Sequence, residues 1–408
     1  MVAASIPGAS DPATSHLTGQ VAGHAASRVL RGRDMLCFGS DFSGDPLSKT
    51  HVMRLFARDN RILWINSIGY RAPTASARDL SRIVTKLKAA TEPVREVEPN
   101  IFVLNPLAIP AYGIPWVGKL NRELLKLQVW RAMDRLGMRR VVNWVFNPTA
   151  SIVAGELNED LVVYYCVDDF TAFAGIPPQL VAMEKELLRK ADLVIVSAAK
   201  LLASKSVDNP RTSLIRHGVA FEHFRKALLP ETEIPADVAG LPHPIIGYFG
   251  LMAEDWIDID LMVHVAKHFS SGSMVLLGKV TTDMSRLTAL PNVHLLGRKP
   301  FETLPAYCKA FDVAMNPFPI NDVTLNANPL KVREYLAAGL PVISTRIPEV
   351  EVVPQARIAD SKEEFVTIIE EELQNPGPSA ARSEHMRSET WEAKVEEIRA
   401  AVAALGRE

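Results

Sequence analysis

The chain has 408 residues and a mass of 44.9 kDa, which at roughly 150 residues per domain suggests two or three domains. Hydrophobic residues make up 48% and charged residues 23%, a globular balance that excludes extended disorder, a collagen-like chain and a small disulfide scaffold. The formal net charge of -2 conceals a split, +8 over residues 1–226 and -10 over residues 227–408, as expected of two domains, one of which faces something anionic.

Residues 1–30 are rich in Ala, Ser, Gly and His and lack a continuous apolar core. They read as a disordered leader and not as a signal peptide. Short apolar runs then alternate with helical spacing. DMLCFGSD (34–41), RILWIN (61–66), IFVLNPL (101–107), RVVNWVF (140–146), LVVYYCVDD (161–169), DLVIVSA (192–198) and SLIRHG (213–218) predict buried strands. Residues 48–58 and 179–190 have helical periodicity. Continuous Val/Ile/Leu runs separated by helices predict parallel strands covered on both faces, the doubly wound α/β pattern.

The alternation pauses at 229–244, which holds Pro230, Pro235, Pro242 and Pro244 and reads as a linker. A second series follows: PIIGYFG, MVLLGK, NVHLLG, DVAMNPF, PVIST and ARIAD. The expected organisation is a first domain at 31–228, a second at 245–378, and a charged C-terminal helix at 379–408 that crosses back onto the first. Cys37, Cys166 and Cys308 are far apart and sit in or beside apolar runs. Buried free thiols and a cytoplasmic location are expected. No run of 18 apolar residues exists, so no transmembrane helix is expected.

The strongest chemical signal is NPLKVREYLAAGLPVIST, 328–345. Pro329 suits the first turn of a helix. Lys331 and Glu334 are three apart and share a face near its start, where amides and the Lys charge favour an anion. Glu334 suits a ribose diol. Gly339 suits a left-handed helix end. From geometry alone, a ligand site and a plain helix with one i,i+3 ion pair are equally good readings.

YYCVDDFTAFAG places Asp168 and Asp169 just past the carboxyl end of a buried strand, where open α/β sheets bind ligands. Crowded carboxylates raise one pKa and yield a base; the alternative is a helix cap. His217, ending a strand beside a Gly, is a third catalytic candidate, with a structural role equally open. Gly39, Asp41 and Gly44 form a loop after the first strand suited to an acceptor, and it matches no phosphate-loop motif. Residues 116–140 carry a net +5 with Trp116, Leu120, Leu124, Leu127 and Trp130, and residues 71–95 hold six basic residues against two acidic. An anionic membrane surface fits such a helix, as does packing of its apolar face on the first domain. Nucleic acid fits poorly, because no recognised module appears.

The run Pro329, Lys331, Glu334, Tyr335, Ala337, Gly339, Pro341, Val342 resembles the nucleotide-sugar signature of GT-B glycosyltransferases, family 4 and its relatives. HGVAFEHF (217–224), GYFGLMAEDWIDIDLM (247–262) and LPNVHLLGRKPFETLPAYCKAFDVAMNPF (290–318) resemble further elements of that family in the same order. The likeness covers about residues 160–350. It implies two Rossmann-like domains facing a cleft, with a UDP- or GDP-linked sugar as donor and no metal or other cofactor. Glu334 is then the ribose ligand. Lys331 and the segment Asn328, Pro329 and Leu330 hold the diphosphate. Gly297 and Arg298 lie beside the base, and Gly250 admits the phosphates. Asn326, a further donor-binding candidate, stands where the family has the first Glu of its Glu-x7-Glu pair, and no basic pair follows the first strand of the second domain. The element around Tyr164 is similar to inverting xanthan-type and teichuronic-acid-type transferases, which implies Asp168 as general base with Asp169 second. The resemblance implies sugar transfer to a glycan or lipid-linked saccharide in cell-surface or exopolysaccharide synthesis, in the cytoplasm or on the inner membrane face. A nucleotide-sugar epimerase of the same fold and a non-catalytic nucleotide-sugar-binding protein are the alternatives.

Overall fold

A computed structural model describes residues 29–67, 93–109, 114–173 and 175–406. Most of the expected leader and of the basic stretch at 71–95 lies outside them. The apolar runs form two sheets. The first contains β1 (Asp34–Phe38), β2 (Arg61–Ile65), β3 (Arg95–Glu98), β4 (Ile101–Leu104), β5 (Val141–Val145), β6 (Glu159–Cys166), β7 (Leu193–Val196) and β8 (Thr212–Leu214), in the order β3-β4-β2-β1-β5-β6-β7-β8. The second contains β9 (Ile245–Phe249), β10 (Ser273–Leu277), β11 (Val293–Leu295), β12 (Val313–Asn316), β13 (Val342–Thr345) and β14 (Ala356–Ala359), in the order β11-β10-β9-β12-β13-β14. Pairing is parallel throughout, except that β3 joins β4 antiparallel. The sequence reading has no strand at β3. Arg95, Glu96 and Glu98 are charged and the strand is mostly exposed, as on a blunted sheet edge, so no apolar run marks it.

The helices that matter below are α1 (Ser48–Phe56), α2 (Pro115–Leu136), α3 (Pro178–Lys190), α4 (Ala199–Lys205), α5 (Ile259–His268), α6 (Leu330–Ala337), α7 (Lys362–Glu372) and α8 (Trp391–Ala403). β5, β7 and β9 are buried at every position, because apolar layers cover both faces of each sheet. Cys37, Cys166 and Cys308 are buried free thiols. Strand order reverses between β1 and β5 in the first lobe and between β9 and β12 in the second. Crevices outside the carboxyl ends of strands at such reversals are the usual ligand sites.

The chain enters the second lobe earlier than the 229–244 segment expected to join the two. Val219, Phe221, Phe224 and Ala227 already pack in the second lobe's core. Within 229–244 only Val238 is buried, so the Pro-rich composition reflects a surface path to β9. The return crossing is α8, whose Trp391, Val395, Ile398 and Val402 pack in the first lobe's core. Arg399 on α8 donates to the Leu30 carbonyl at 3.0 Å and pairs with Asp59 at 3.4 Å.

Polar contacts knit the base of the cleft. Asn328 Nδ2 donates to the Ser197 carbonyl at 2.7 Å. Glu349 of the second lobe is 2% exposed. It accepts 2.7 Å bonds from the Ala199 N–H, at the start of α4, and from Arg216 Nε. A carboxylate from one lobe thus caps a helix of the other.

Candidate active site

The second-lobe half is built where β9 and β10 end. Gly250 has φ +143°, and a Cβ there would lie 2.9 Å from Lys331 Cε. Gly278 has φ +144°, and its Cβ would lie 1.8 Å from the Gly250 carbonyl oxygen. Only glycine fits either position. Gly297 accepts the Gly278 N–H at 2.8 Å. Beside this floor α6 begins at Leu330, with Pro329 as its N-cap and not inside its first turn.

Lys331 Nζ lies 3.3 Å from the Tyr248 hydroxyl, and 4.9 and 4.4 Å from the ring centres of Tyr248 and Phe318. Burial lowers its pKa to about 7. Burial raises Glu334, one turn on, to about 7, with Lys331 opposing the rise. The i,i+3 ion pair offered by the spacing is not formed. Among the described residues the Glu334 carboxylate has neither an ion-pair nor a hydrogen-bond partner. A cation and a carboxylate thus lie partly buried on one helix face with no ion pair between them, an arrangement that a ligand can complete.

Other residues named for the donor are engaged elsewhere. Asn328 is buried; its Oδ1 accepts from Arg333 at 2.6 Å and its amide holds Ser197. Asn326 caps a short helix through a 2.7 Å bond to the Asp322 carbonyl. Leu330 packs partly buried against the first lobe's core. Arg298 spans the mouth of the cleft and grips Asp45 of the first lobe, its Nε 3.0 Å from Oδ2. A cleft of about 400 Å³ lies there, lined by Gly44, Asp45, Pro46, Arg298, Lys299 and Phe301 among others.

On the first lobe, Gly39 packs flat on Trp64, where a Cβ would come within 2.6 Å of the indole. Gly44 closes a turn onto the Asp41 carbonyl at 3.2 Å, and Asp41 is exposed. Asp168 follows β6. Burial raises its pKa, and the Lys49 ammonium at the start of α1 opposes the rise. Burial lowers Lys49, with Cys37 and Asp168 opposing. No hydrogen bond engages the Asp168 carboxylate among the described residues. Asp169 differs: its Oδ1 accepts from the Thr171 N–H at 3.1 Å, from Thr171 Oγ1 at 2.7 Å and from Lys205 Nζ at 3.4 Å. Burial pushes its carboxyl up, but Thr171 and Lys205 outweigh that and hold it low.

An aromatic path joins the two halves. Phe173, just beyond Asp169, lies 6.3 Å from Trp256 of the second lobe, Trp256 lies 5.3 Å from Phe318, and Phe318 backs Lys331. His217 is 5% exposed at the lobe junction, its Nδ1 3.0 Å from the Asn328 carbonyl oxygen. Its Nε2 is buried without a partner, and burial first, then Arg333, lowers its pKa to about 3. It is a neutral junction residue beside Trp391. The sequence reading missed Lys49, Tyr248, Trp256, Phe318 and Gly278. Of these only Gly278, ending an apolar run, carried a local signal.

Residues 243–375 match the family model described as "Glycosyl transferases group 1". TuaH of Bacillus subtilis (strain 168), named as a teichuronic acid biosynthesis glycosyltransferase, is 24% identical over 223 residues, 50% of this chain and 55% of TuaH. The match therefore spans about half the length of that relative. Sucrose-phosphate synthase from Thermosynechococcus elongatus superposes with a TM-score of 0.67 at 16% identity, covering 92% of this chain and 99% of that one. A UDP-forming trehalose-phosphate synthase from Burkholderia xenovorans gives 0.63 at 12% identity, covering 92% and 100%. HepE of Anabaena, in complex with UDP and glucose, gives 0.57 at 14%, covering 92% and 98%. The chain has the GT-B fold of glycosyltransferases, and its second lobe is the part that matches the glycosyl transferases group 1 model.

Proposed function

We propose that this protein transfers a sugar from a nucleotide-diphosphate donor, held by the second lobe, to a hydroxyl of a glycan or lipid-linked saccharide held by the first. One observation carries the reading: Lys331 and Glu334 lie partly buried on one face at the start of α6, beside Gly250, with no ion pair between them and no partner for the Glu334 carboxylate among the described residues. A diphosphate restores the charge of Lys331, and a ribose diol donates to Glu334. Amides at the start of α6 add to the anion site. The UDP and glucose in HepE favour a UDP-linked hexose.

Asp168 is the base in this reading. It takes the acceptor's hydroxyl proton as that oxygen bonds to the anomeric carbon. The anomeric carbon–oxygen bond to the diphosphate breaks, and the nucleoside diphosphate leaves as an anion stabilised by Lys331 and the helix-end amides. Attack opposite the leaving group inverts the anomeric configuration. A carboxylate raised by burial and without a partner suits that task better than Asp169, whose oxygen is engaged.

The acceptor side favours a lipid-linked saccharide. α2 is apolar on two faces. Val117, Leu125, Val129 and Met133 are buried, while Trp116 (65% exposed), Leu120 and Leu127 face solvent with Lys119, Arg131 and the acidic Glu123. Such a face suits the boundary of an anionic bilayer. Salt-sensitive sedimentation with phosphatidylglycerol vesicles, lost in Trp116→Ser/Leu120→Ser, tests it; binding unchanged in that variant sinks it.

The deciding experiment is a thermal-shift and turnover screen with UDP, GDP and their hexose conjugates, since a ligand stabilises by RT ln(1 + [L]/Kd). Glu334→Ala is expected to weaken the nucleotide by about tenfold or more. Unchanged affinity removes Glu334 from the site. Binding of the conjugates without transfer to any acceptor favours a non-catalytic carrier.

A further inference from the structure

Beneath the Asp168 loop lies a buried charge network that the mechanism above does not use. Glu184 of α3 is 2% exposed and Lys205, the last residue of α4, is 6% exposed. Lys205 Nζ donates to Glu184 Oε2 at 3.0 Å and to Asp169 Oδ1 at 3.4 Å. The buried Tyr164 hydroxyl donates to Glu184 Oε1 at 2.8 Å. Two further bonds hold the same loop by its backbone. Cys166 Sγ donates to the Asp168 carbonyl at 3.3 Å, and Ser197 Oγ to the Val167 carbonyl at 3.3 Å.

A buried ion pair seldom stabilises more than apolar residues of the same volume, because desolvation cancels its attraction. Its stability alone gives little reason for Lys205 and Glu184. Its geometry does more: every branch ends on residues 164–171, the segment that carries Asp168. The other end of α4 is capped by Glu349 of the second lobe. The helix that supplies Lys205 is therefore anchored to the donor lobe.

We propose that Lys205 and Glu184 are positioning residues that fix Asp168 through Asp169, and that α4 ties this loop to the donor lobe. The proposal rests on Asp168 being the base. Asp169 is then a strut, and its adjacency to Asp168 is what transmits the hold.

Three variants test it: Asp169→Asn, which keeps an oxygen for the Thr171 turn; Lys205→Met/Glu184→Gln, which removes both buried charges together; and Lys205→Arg, which keeps the charge. The readouts are hydrogen–deuterium exchange of the 164–173 peptide, UDP affinity, and UDP release from the UDP-hexose that the screen finds turned over. The first two variants are expected to speed exchange at 164–173 alone and to lower kcat about tenfold or more, with UDP affinity and donor KM unchanged. Lys205→Arg is expected to recover most of the rate. Wild-type exchange in the double variant overturns the proposal, as does a rate loss that tracks a general loss of Tm and UDP affinity. Activity retained in Asp168→Asn defeats the base assignment instead, and the exchange data still decide whether the network holds the loop.

Discussion

The two walls of the cleft treat buried charge in opposite ways. On the first lobe, Lys205 donates to both Glu184 and Asp169, which also accept from Tyr164 and Thr171 respectively. On the second, Lys331 and Glu334 lie partly buried with no ion pair between them. A satisfied network resists change and holds a shape, whereas an unsatisfied pair stores unfavourable energy that a ligand can release. Asp168 belongs with the unsatisfied groups although it sits on the satisfied wall. The contrast separates residues that hold the site from residues that act in it.

The largest expected effect is at Asp168. Asp168→Asn keeps the shape and removes the carboxylate proposed as the base, so turnover should fall by about 10²–10⁴-fold while UDP still binds. A smaller loss would put Asp168 among the holding residues. Glu334→Gln probes the other wall through pH. Burial raises Glu334 from 4.5 to about 7, so its folded pKa lies above its unfolded one. Its favourable contribution is complete below 4.5 and is lost as pH rises through 7. Wild type and Glu334→Gln should therefore be equally stable near pH ~4. Above pH ~7 the variant should be the more stable by ~1–3 kcal/mol, despite binding UDP more weakly. Equal stability across the whole range would show Glu334 to be adequately solvated and would erase the contrast.

The junction gives an intermediate effect. Glu349 is buried and bonded across the lobes to Ala199 and Arg216. Glu349→Ala leaves a helix N–H and a half-buried guanidinium without their acceptor, and should cost about 1–3 kcal/mol, read as a fall in Tm without loss of secondary structure. A neutral result would make the junction a loose hinge.

What was legible in the sequence followed from contiguity. Strands buried on both faces are unbroken apolar runs, so β1, β5, β6, β7 and β9 announced themselves. Lys331, Glu334 and Gly339 lie within one helix and its cap, so one segment displayed their spacing. Gly339 has φ +85°, and a Cβ there would meet Ser379. Illegible features needed the fold to assemble them. Lys49 and Lys205 are ordinary lysines on amphipathic helices, and nothing local says that they approach Asp168 and Asp169. Asn328 lies inside the signature, yet its side chain is spent on Ser197 and Arg333. Charged β3 had no pattern to show.

Arg298 offers the smallest effect and the sharpest discrimination. The resemblance sets it beside the nucleotide base, and the structure has it gripping Asp45 across the cleft mouth, with both side chains more than half exposed. An exposed ion pair is weak and screened by salt. If Arg298 serves only as this latch, Arg298→Ala and Asp45→Ala should change UDP affinity equally, by no more than about threefold, and 0.5 M added salt should abolish the difference from wild type. If Arg298 leaves Asp45 to contact the base, its loss should weaken UDP well beyond the effect of Asp45→Ala. Asp45→Ala should then strengthen binding, because it frees the guanidinium. The sign of the Asp45 effect thus decides whether Arg298 holds the cleft, as proposed for Lys205 behind Asp168, or meets the ligand, as proposed for Lys331.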